Sequence, residues 1–237
     1  MATYVMSDIH GQYDMFIELL EKIDLKDQDT LYILGDIVDR GPNPMKVLFK
    51  MMGMSNVVPL AGNHELMALE CLEYLCDDIT EEFMNNLDED RLEIFDSWIE
   101  NGGLSTIKEF LELSKQKRTE IIDYISEFGI YEELSINNEK YFLVHAGLGI
   151  AVPSKNFDDY SIKELLWDRM DYEMQYFDDM YIVSGHTPTQ TIYCNPKPGY
   201  IFQKNKHIAI DCGSYSLNGR LAAICLETKE EYYVDVG

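Results

Sequence analysis

The chain has 237 residues, of which 46% are hydrophobic and 26% charged, a balance typical of a globular protein that can bury a large core. Its formal net charge of −24 argues against non-specific nucleic-acid binding, because such binding needs basic side chains that displace the counterions of the phosphate backbone. The N-terminal residues show no signal-peptide pattern and no apolar run reaches about 18 residues, so we expect a cytoplasmic protein that binds neither nucleic acid nor membrane.

Strand and helix patterns alternate from the N-terminus onwards. Apolar strands are predicted at residues 4–6, 31–34 and 56–60, and each precedes apolar residues at helical spacing, such as Phe16 and Leu19 after the first strand. This β-α-β-α-β-α order predicts an α/β fold with a parallel sheet and right-handed crossovers. In such sheets ligands bind beyond the carboxyl ends of the strands.

The remainder of the chain predicts a helical region followed by a second sheet. The pattern is mainly helical from about residue 77 to residue 130, which we interpret as an insertion in a single domain spanning residues 1–237. Strand patterns then resume, with Asn137-Asn138 as a predicted hairpin turn. The predicted strands cover residues 131–136, 141–144, 181–184, 207–211, 221–226 and 231–235. We expect them to form a second, more antiparallel sheet packed on the first.

Short motifs rich in metal-ligand residues stand where these strands end. They are D-I-H-G at residues 8–11, G-D-I-V-D-R-G at 35–41, G-N-H-E at 62–65, H-A-G at 145–147 and G-H-T at 185–187. One such motif alone is often only a turn or a helix cap. Because all of them stand at strand ends, we predict that their side chains meet in one site.

The donor atoms of these motifs suit two divalent metal ions. Two ions about 3.5–4 Å apart need a bridging carboxylate, further imidazole or carboxylate ligands, and open positions for solvent and phosphate. We predict Asp36 as the bridge. The predicted ligand set is Asp8, His10, Asp36, Asn63, His145 and His186. Because these ligands offer oxygen and nitrogen without thiolate, they favour manganese, with iron or zinc as alternatives.

Three further motif residues are predicted to take part in phosphoester hydrolysis. Two divalent ions lower the pKa of a shared water, so hydroxide is the expected nucleophile and no protein nucleophile is required. Arg40 can clamp phosphate oxygens with two hydrogen bonds. His64 is not needed as a ligand and is the predicted general acid, while Asp39 is predicted to hold its tautomer and favour the imidazolium.

In order and spacing, D-x-H-G, G-D-x-x-D-R-G, G-N-H-E, H-A-G and G-H-T resemble the metal-dependent phosphoprotein phosphatase family, within the calcineurin-like metallophosphoesterases and close to bacterial and phage serine/threonine phosphatases. The resemblance runs from residue 3 to about residue 227, and the region near 77–130 carries no motif. It implies a four-layer α/β/β/α sandwich of two mixed sheets with a dinuclear centre between the sheets.

The resemblance also implies a role for each motif residue. It places Asp8 and His10 on one metal, Asn63, His145 and His186 on the other, and Asp36 between them. His64 matches the family's proton donor, Asp39 its acidic partner and Arg40 one phosphate-binding arginine. Trp167-Asp168-Arg169 is similar to the element that supplies a second arginine, so Arg169 is the second candidate, and Asn63 is also expected to border the substrate. Ser7 departs from the usual glycine, and we expect it to add at most a hydrogen bond.

The expected function is hydrolysis of phosphoserine and phosphothreonine in phosphorylated proteins. One alternative is a dinucleoside polyphosphate hydrolase, a related branch with the same metal site. The symmetric hydrolases tend to lose the acid at the position of Asp39, and the asymmetric bacterial ones tend to depart at the position of Glu65, so both residues favour the phosphatase. A scaffold without activity is disfavoured because every ligand position is filled.

Two sets of residues outside the chemistry receive structural interpretations. His207 begins a predicted strand without a motif, and we interpret it as a structural histidine. The five cysteines show no C-x-x-C spacing, which indicates reduced thiols.

Overall fold

The computed structural model describes residues 1–76, 89–149 and 156–237. The strands are β1 (Thr3–Met6), β2 (Thr30–Leu34), β3 (Val57–Leu60), β4 (Tyr131–Ile136), β5 (Glu139–Val144), β6 (Met180–Ser184), β7 (Phe202–Lys204), β8 (His207–Ala209), β9 (Arg220–Cys225) and β10 (Glu231–Asp235). The α-helices are α1 (Tyr13–Ile23), α2 (Pro44–Met52), α3 (Asn63–Leu75), α4 (Glu89–Glu100), α5 (Leu104–Leu111), α6 (Lys115–Ser126) and α7 (Ile162–Trp167).

The first sheet has the strand order β10-β9-β1-β2-β3. Strands β1, β2 and β3 pair in parallel, as the alternation of strand and helix predicts. Strand β9 pairs antiparallel with the free edge of β1, where Met6 lies opposite Ala223, and β10 pairs with β9. The expectation that the last two strands belong to the second sheet is therefore wrong. They complete the first sheet on the edge that β2 leaves open.

The second sheet has the order β4-β5-β6-β8-β7. Strands β4 and β5 form the predicted hairpin, and Asn137 and Asn138 both adopt positive φ in its turn, as a two-residue hairpin loop requires. The pairs β5–β6 and β6–β8 are parallel, and β7–β8 is antiparallel. This sheet is thus as mixed as the first, and the expectation of a more antiparallel sheet is wrong. The long connection through α7 returns the chain to the same end of the sheet, which makes β5 and β6 parallel.

The two sheets pack face to face. Val5 and Leu34 of the first sheet and Leu143, Val183 and Ile208 of the second share one buried apolar cluster. The outer face of the first sheet is covered by helices α1 to α3 and their apolar side chains, and that of the second by α7 and the turn at Phe157–Asp159. The predicted α/β/β/α sandwich of two mixed sheets is confirmed.

Helices α4, α5 and α6 occupy most of the region predicted as a helical insertion. Residues 77–88 of that region lie outside the described residues. Trp98, Phe110 and Ile121 bury their side chains in the same core as Ala68 and other α3 residues, so these helices pack on the first sheet's helical layer. In the part of the chain that the structure describes, none of the helices has the length and apolar character needed to cross a membrane. All five cysteines are free thiols.

Candidate active site

The motif residues lie at the carboxyl ends of β1, β2, β5 and β6 and at the start of α3, and several of them have a left-handed backbone. Asp8, His10, Asp36, Asp39, Arg40 and His186 have φ between 46° and 70°. Such angles are uncommon outside glycine and cost of order 1 kcal/mol each, so the surrounding structure has to impose them. The Asp8 amide donates to the Gly35 carbonyl at 3.0 Å and the His10 amide to the Asp36 carbonyl at 2.9 Å, which locks the first two loops together.

Asp36 lies at the centre of the site. Its Oδ2 is 3.5 Å from His10 Nε2 and 3.8 Å from His64 Nε2, and its Oδ1 is 3.3 Å from His145 Nε2. Two groups of ligand-type atoms, each within 4.8 Å of one another, share this carboxylate: one joins His10, Asp36 and His64, and the other joins Asp36, His145 and His186. Asp36 is therefore placed between two clusters, as a bridging ligand has to be.

Backbone carbonyls select the tautomers of two histidines. His10 Nδ1–H donates to the Val38 carbonyl at 3.0 Å, and His145 Nδ1–H donates to the Leu34 carbonyl at 2.6 Å. The Nε2 lone pairs of both rings therefore face Asp36, which is the arrangement that metal-binding histidines use. Asn63 Oδ1 lies 3.0 Å from His145 Nε2 and 3.0 Å from His186 Nδ1, so the amide oxygen joins the second cluster.

The charges of the cluster also suit cations. Burial lowers the pKa of His10, His145 and His186, that of His186 to about 3, so these rings are neutral as ligands have to be. Burial raises the pKa of Asp36, but His145 and the other histidines around it outweigh this and hold its pKa below the ordinary value. Burial and the nearby carboxylates of Asp211 and Asp36 raise the pKa of Asp8 well above its usual range.

Asp8 takes a more peripheral place than the other predicted ligands. Its Oδ1 is 4.0 Å from His10 Nε2, while its Oδ2 accepts hydrogen bonds from Ser7 Oγ at 2.5 Å and from the His186 backbone N–H at 3.1 Å. The Ser7 hydroxyl thus adds the hydrogen bond expected of it. Crowded buried carboxylates beside neutral imidazoles form a donor set of oxygen and nitrogen that fits two divalent cations. Manganese, iron and zinc all accept such ligands.

His64 and Asp39 form a buried pair at the edge of the cluster. His64 Nδ1 lies 2.7 Å from Asp39 Oδ2, and both side chains are fully buried. Burial lowers the pKa of His64, but the carboxylates of Asp36 and Asp39 outweigh it, so the pKa of His64 is raised. The position and the raised pKa of His64 suit a proton donor. Because Nδ1 is hydrogen-bonded to Asp39, the proton would have to be given from Nε2.

Asp39 has two further partners that the motifs do not reveal. Trp98 Nε1–H donates to Asp39 Oδ2 at 2.7 Å, and Thr106 Oγ1–H donates to Asp39 Oδ1 at 2.5 Å. Both come from the helical region for which the sequence predicted no functional residue. The only sequence signal was the Gly102-Gly103 break, which lies between α4 and α5 and between these two residues.

Arg40 reaches over the cluster from the end of the second motif. Its Nη1–H donates to His10 Nε2 at 3.0 Å and its Nη2–H to His64 Nε2 at 2.9 Å. The guanidinium carbon lies 4.2 Å from the centre of the Tyr215 ring, a residue that sequence reasoning missed because it follows no motif. Arg40 and Arg169 line one cleft of about 360 Å³ with Asp36, Asn63, Trp167 and Tyr215.

The buried Glu65 carboxylate stabilises the backbone of two motifs. Its carboxylate accepts hydrogen bonds from four backbone N–H groups, those of Asp36, Ile37, Val38 and Gly62, at 2.7 to 3.1 Å. Burial and the Asp36 carboxylate raise the pKa of Glu65 to about 7, against the effect of these donors. Glu65 thus ties the second motif to the third.

The structure brings all the sequence-predicted site residues to one region. They surround Asp36 or line the cleft above it: Asp8, His10, Asp39, Arg40, Asn63, His64, His145, Arg169 and His186. His207 lies elsewhere, buried in the second sheet between Tyr172 and Tyr176, in the structural setting expected of it.

The chain resembles known proteins in sequence and in fold. A family model described as calcineurin-like phosphoesterase matches residues 1–197. The symmetrical bis(5'-nucleosyl)-tetraphosphatase of Salmonella paratyphi A is 46% identical over 68 residues, which are 28% of this chain and 24% of that protein. The chain thus matches about a quarter of the length of this curated relative.

Two solved structures cover nearly the whole chain. A structure described as that of a candidate diadenosine tetraphosphatase has a TM-score of 0.67 and 17% identity, and the match covers 99% of this chain and 93% of that one. A protein serine/threonine phosphatase from Saccharomyces cerevisiae, with similarity to human phosphatase PP5, has a TM-score of 0.59 and 17% identity, with coverage of 99% and 79%. At these identities the likeness shows the shared fold alone.

Proposed function

The chain belongs to the calcineurin-like phosphoesterase family, and from this premise we propose that it is a metal-dependent phosphatase acting on phosphoserine and phosphothreonine in proteins. Hydrolysis of a phosphomonoester forms a bond from a water oxygen to phosphorus and breaks the bond from phosphorus to the ester oxygen. The water gives up a proton, and the departing ester oxygen takes one up. Residues of the site would activate the water, orient the phosphoryl group and protonate the departing oxygen.

The metal ions would be held on either side of Asp36 by the ligand-type atoms of the two clusters, except those of His64, which is the proposed acid. Asp8 and His10 would complete one site, and Asn63, His145 and His186 the other. When bound, two divalent ions supply Lewis acidity towards the phosphoryl oxygens and lower the pKa of water, which provides the nucleophile. We take manganese as the first choice of metal because its preference for oxygen and nitrogen donors matches the set.

The phosphoryl group would be oriented by side chains on the walls of the cleft. Arg40 and Arg169 both line it, and a guanidinium can donate two parallel hydrogen bonds to phosphate. The Asn63 side chain lines the same cleft and would border a bound phosphate. Against a chain with a formal charge of −24, these arginines supply the positive charge that attracts a phosphate dianion.

The observation that carries the choice of substrate is the 2.7 Å hydrogen bond between His64 Nδ1 and Asp39 Oδ2. An acid with a buried carboxylate partner is useful when the leaving group is a strong base that has to be protonated. The alkoxide of serine or threonine is such a leaving group, whereas a nucleoside phosphate departs as an anion that needs no proton. A retained acid pair therefore favours phosphoserine and phosphothreonine.

A second candidate function is hydrolysis of dinucleoside polyphosphates. It is favoured by the 46% identity over 68 residues to a symmetrical bis(5'-nucleosyl)-tetraphosphatase. The same cleft and arginines would bind a polyphosphate chain. The two candidates differ in what they require of the acid pair, so they can be separated by experiment.

The test compares two substrates on the manganese-loaded protein. We expect kcat/KM for a phosphoserine peptide to exceed that for diadenosine tetraphosphate, and His64→Asn to lower the peptide rate by about 10²-fold or more. The reverse preference, with little effect of His64→Asn, would establish the second candidate. Activity on neither substrate, in protein shown to hold two metals, would contradict both and support a scaffold.

A further inference from the structure

The Asp39 carboxylate is held by more donors than its role beside His64 needs. Its Oδ2 accepts from Trp98 Nε1–H as well as from His64 Nδ1–H, both at 2.7 Å. Its Oδ1 accepts from Thr106 Oγ1–H at 2.5 Å, and the Asp39 backbone N–H donates to the same hydroxyl at 3.0 Å. Asp39, His64, Trp98 and Thr106 are all fully buried. Water therefore does not compete for these groups, and a group left without its partner would remain unsatisfied in the interior.

Both extra donors come from the helix pair α4–α5. Trp98 lies near the end of α4, Thr106 lies in the first turn of α5, and Gly102-Gly103 forms the turn between them. A Cβ on Gly103 would lie 2.6 Å from the Trp98 ring, so the indole packs directly on this turn. The Gly102 carbonyl accepts from the Arg40 backbone N–H at 3.0 Å. The helix pair thus contacts Asp39 and Arg40, consecutive residues with positive φ.

A carboxylate with one partner can rotate about its Cβ–Cγ bond. With Thr106 bound to one oxygen and Trp98 to the other, the carboxylate plane has one orientation that satisfies both donors. In that orientation Oδ2 faces His64 Nδ1, which fixes a proton on Nδ1 and leaves Nε2, which lies 2.9 Å from Arg40 Nη2, as the nitrogen that can take up and give the catalytic proton. Fixed orientation of the acid's partner matters because proton transfer is sensitive to small displacements.

We propose that Trp98 and Thr106 are positioning residues that hold the Asp39 carboxylate against His64 and so set the rate of leaving-group protonation. The inference rests on the proposed role of His64 as general acid. It gives helices α4 and α5 a part in catalysis although neither supplies an atom to the two groups of ligand-type atoms that share Asp36. The region of residues 89–111 would then be a component of the active site.

The experiment uses two isosteric or near-isosteric changes and two substrates. Thr106→Val removes the hydroxyl and keeps the shape, and Trp98→Phe removes the indole N–H. Phenyl phosphate has a leaving group that needs protonation more than that of 4-nitrophenyl phosphate. We expect each variant of the manganese-loaded enzyme to lose about tenfold in kcat on phenyl phosphate but less than about threefold on 4-nitrophenyl phosphate, with KM little changed.

Two control variants separate positioning from general damage. Thr106→Ser keeps the hydroxyl and should restore the rate on phenyl phosphate to within about threefold of the parent enzyme. Phe110→Leu changes another fully buried side chain of α5, one that has no hydrogen-bond donor to offer Asp39, and should slow the hydrolysis of both substrates equally if at all. Equal losses on both substrates in Thr106→Val and Trp98→Phe would overturn the inference.

His64→Asn tells the two proposals apart. If it shows the leaving-group dependence while Thr106→Val and Trp98→Phe do not, the positioning role fails and the acid role stands. If it shows none, the acid role itself fails.

A second readout needs no activity. In the metal-free protein, the hydrogen-bonded Nδ1 proton of His64 should give a downfield, slowly exchanging NMR signal that is lost or broadened in Thr106→Val and retained in Thr106→Ser. An unchanged signal in folded Thr106→Val would count against the proposal whatever the kinetics.

Discussion

The carboxylate of Glu65 accepts a hydrogen bond of 2.7 Å from the backbone N–H of Asp36, the residue at the centre of the site. The same carboxylate accepts from Ile37, Val38 and Gly62. One side chain therefore shapes the loop after β2 and the start of α3 together. The position of the Asp36 carboxylate, the proposed bridge, therefore depends on Glu65, which is outside the proposed ligand set.

We expect Glu65→Gln to destabilise the fold by about 3 kcal/mol, because its amide N–H₂ would face backbone donors in place of an acceptor and leave them unpaired. Urea unfolding of the metal-free protein measures this. Glu70→Gln, an exposed change on the same helix, is the matched control and should move the free energy of unfolding by less than about 0.5 kcal/mol. Equal effects of the two changes would contradict the role given to Glu65.

Asp36→Asn should lower metal content and activity together. The neutral amide weakens both clusters that share this side chain, so we expect the parent protein to hold about two ions per chain and the variant fewer than about one, with kcat reduced by about 10²-fold or more. Elemental analysis of the dialysed protein gives the metal content. Asp14→Asn, an exposed change on α1, should leave it unaltered. A variant that keeps two ions and near-parent turnover would remove Asp36 from the bridging position.

Gly185→Ala should displace the Asp8 carboxylate, and so disturb the metal site proposed for Asp8 and His10, without a change of charge. A Cβ at this position would lie 2.0 Å from Ser7 Oγ and 2.2 Å from Asp8 Oδ2, closer than any real contact, so Asp8 has to move. We expect weaker binding of one metal ion and a loss of at least about tenfold in kcat/KM. Gly53→Ala is the matched control, because its Cβ would meet only ordinary contacts at 3.5 Å or more. Calorimetric titration with manganese distinguishes the two variants.

Tyr215→Ala should weaken substrate binding more than it slows chemistry. The ring lies 4.2 Å from the Arg40 guanidinium carbon and edge-on to His10 at 4.9 Å, so it limits where the guanidinium can go. We expect KM to rise about fivefold, equivalent to about 1 kcal/mol, with a smaller change in kcat. Tyr215→Phe keeps the ring and should behave like the parent enzyme. A large loss in Tyr215→Phe would instead assign a role to the hydroxyl.

His207 should make the fold sensitive to mild acid. Burial lowers its pKa to about 4, with Asp171 opposing, while the unfolded chain titrates near the ordinary value of about 6.5. Between these values the unfolded state binds the extra proton, so stability falls as pH falls from about 6.5 to about 4, by at most about 3 kcal/mol. His207→Gln should flatten this slope in urea unfolding of the metal-free protein across that range. Parallel slopes for parent and variant would show that His207 does not contribute.

The residues that gather around Asp36 could be predicted because they follow a local rule. Each motif stands directly after a strand, and parallel strands end at one edge of a sheet, so the side chains after β1, β2 and β3 had to meet. Apolar alternation located these strands for the same local reason. The tautomers of His10 and His145 could not be foreseen, since the carbonyls that select them belong to Val38 and Leu34 of another strand end.

Long-range partners escaped prediction. Trp98 and Thr106 lie 59 and 67 residues from Asp39, and their helices carry only an ordinary amphipathic pattern, so no spacing in the sequence connects them. Strand pairing failed in the same way. The patterns located β9 and β10 but carry no information about which sheet edge is open, and β9 pairs with β1 at the opposite end of the chain.

The site lies between the two sheets, so metal binding is expected to affect the stability of the protein as well as its activity. Asp8 and Asp36 follow strands of one sheet, while His145 and His186 follow strands of the other. Metal ions bound by ligands from both sheets would link the two sheets, so metal binding would activate the enzyme and also stabilise the packing of one sheet on the other. The metal-free chain would then be inactive and would unfold more easily, which exposes it to proteases. Its abundance in the cell would therefore follow the supply of the metal ion.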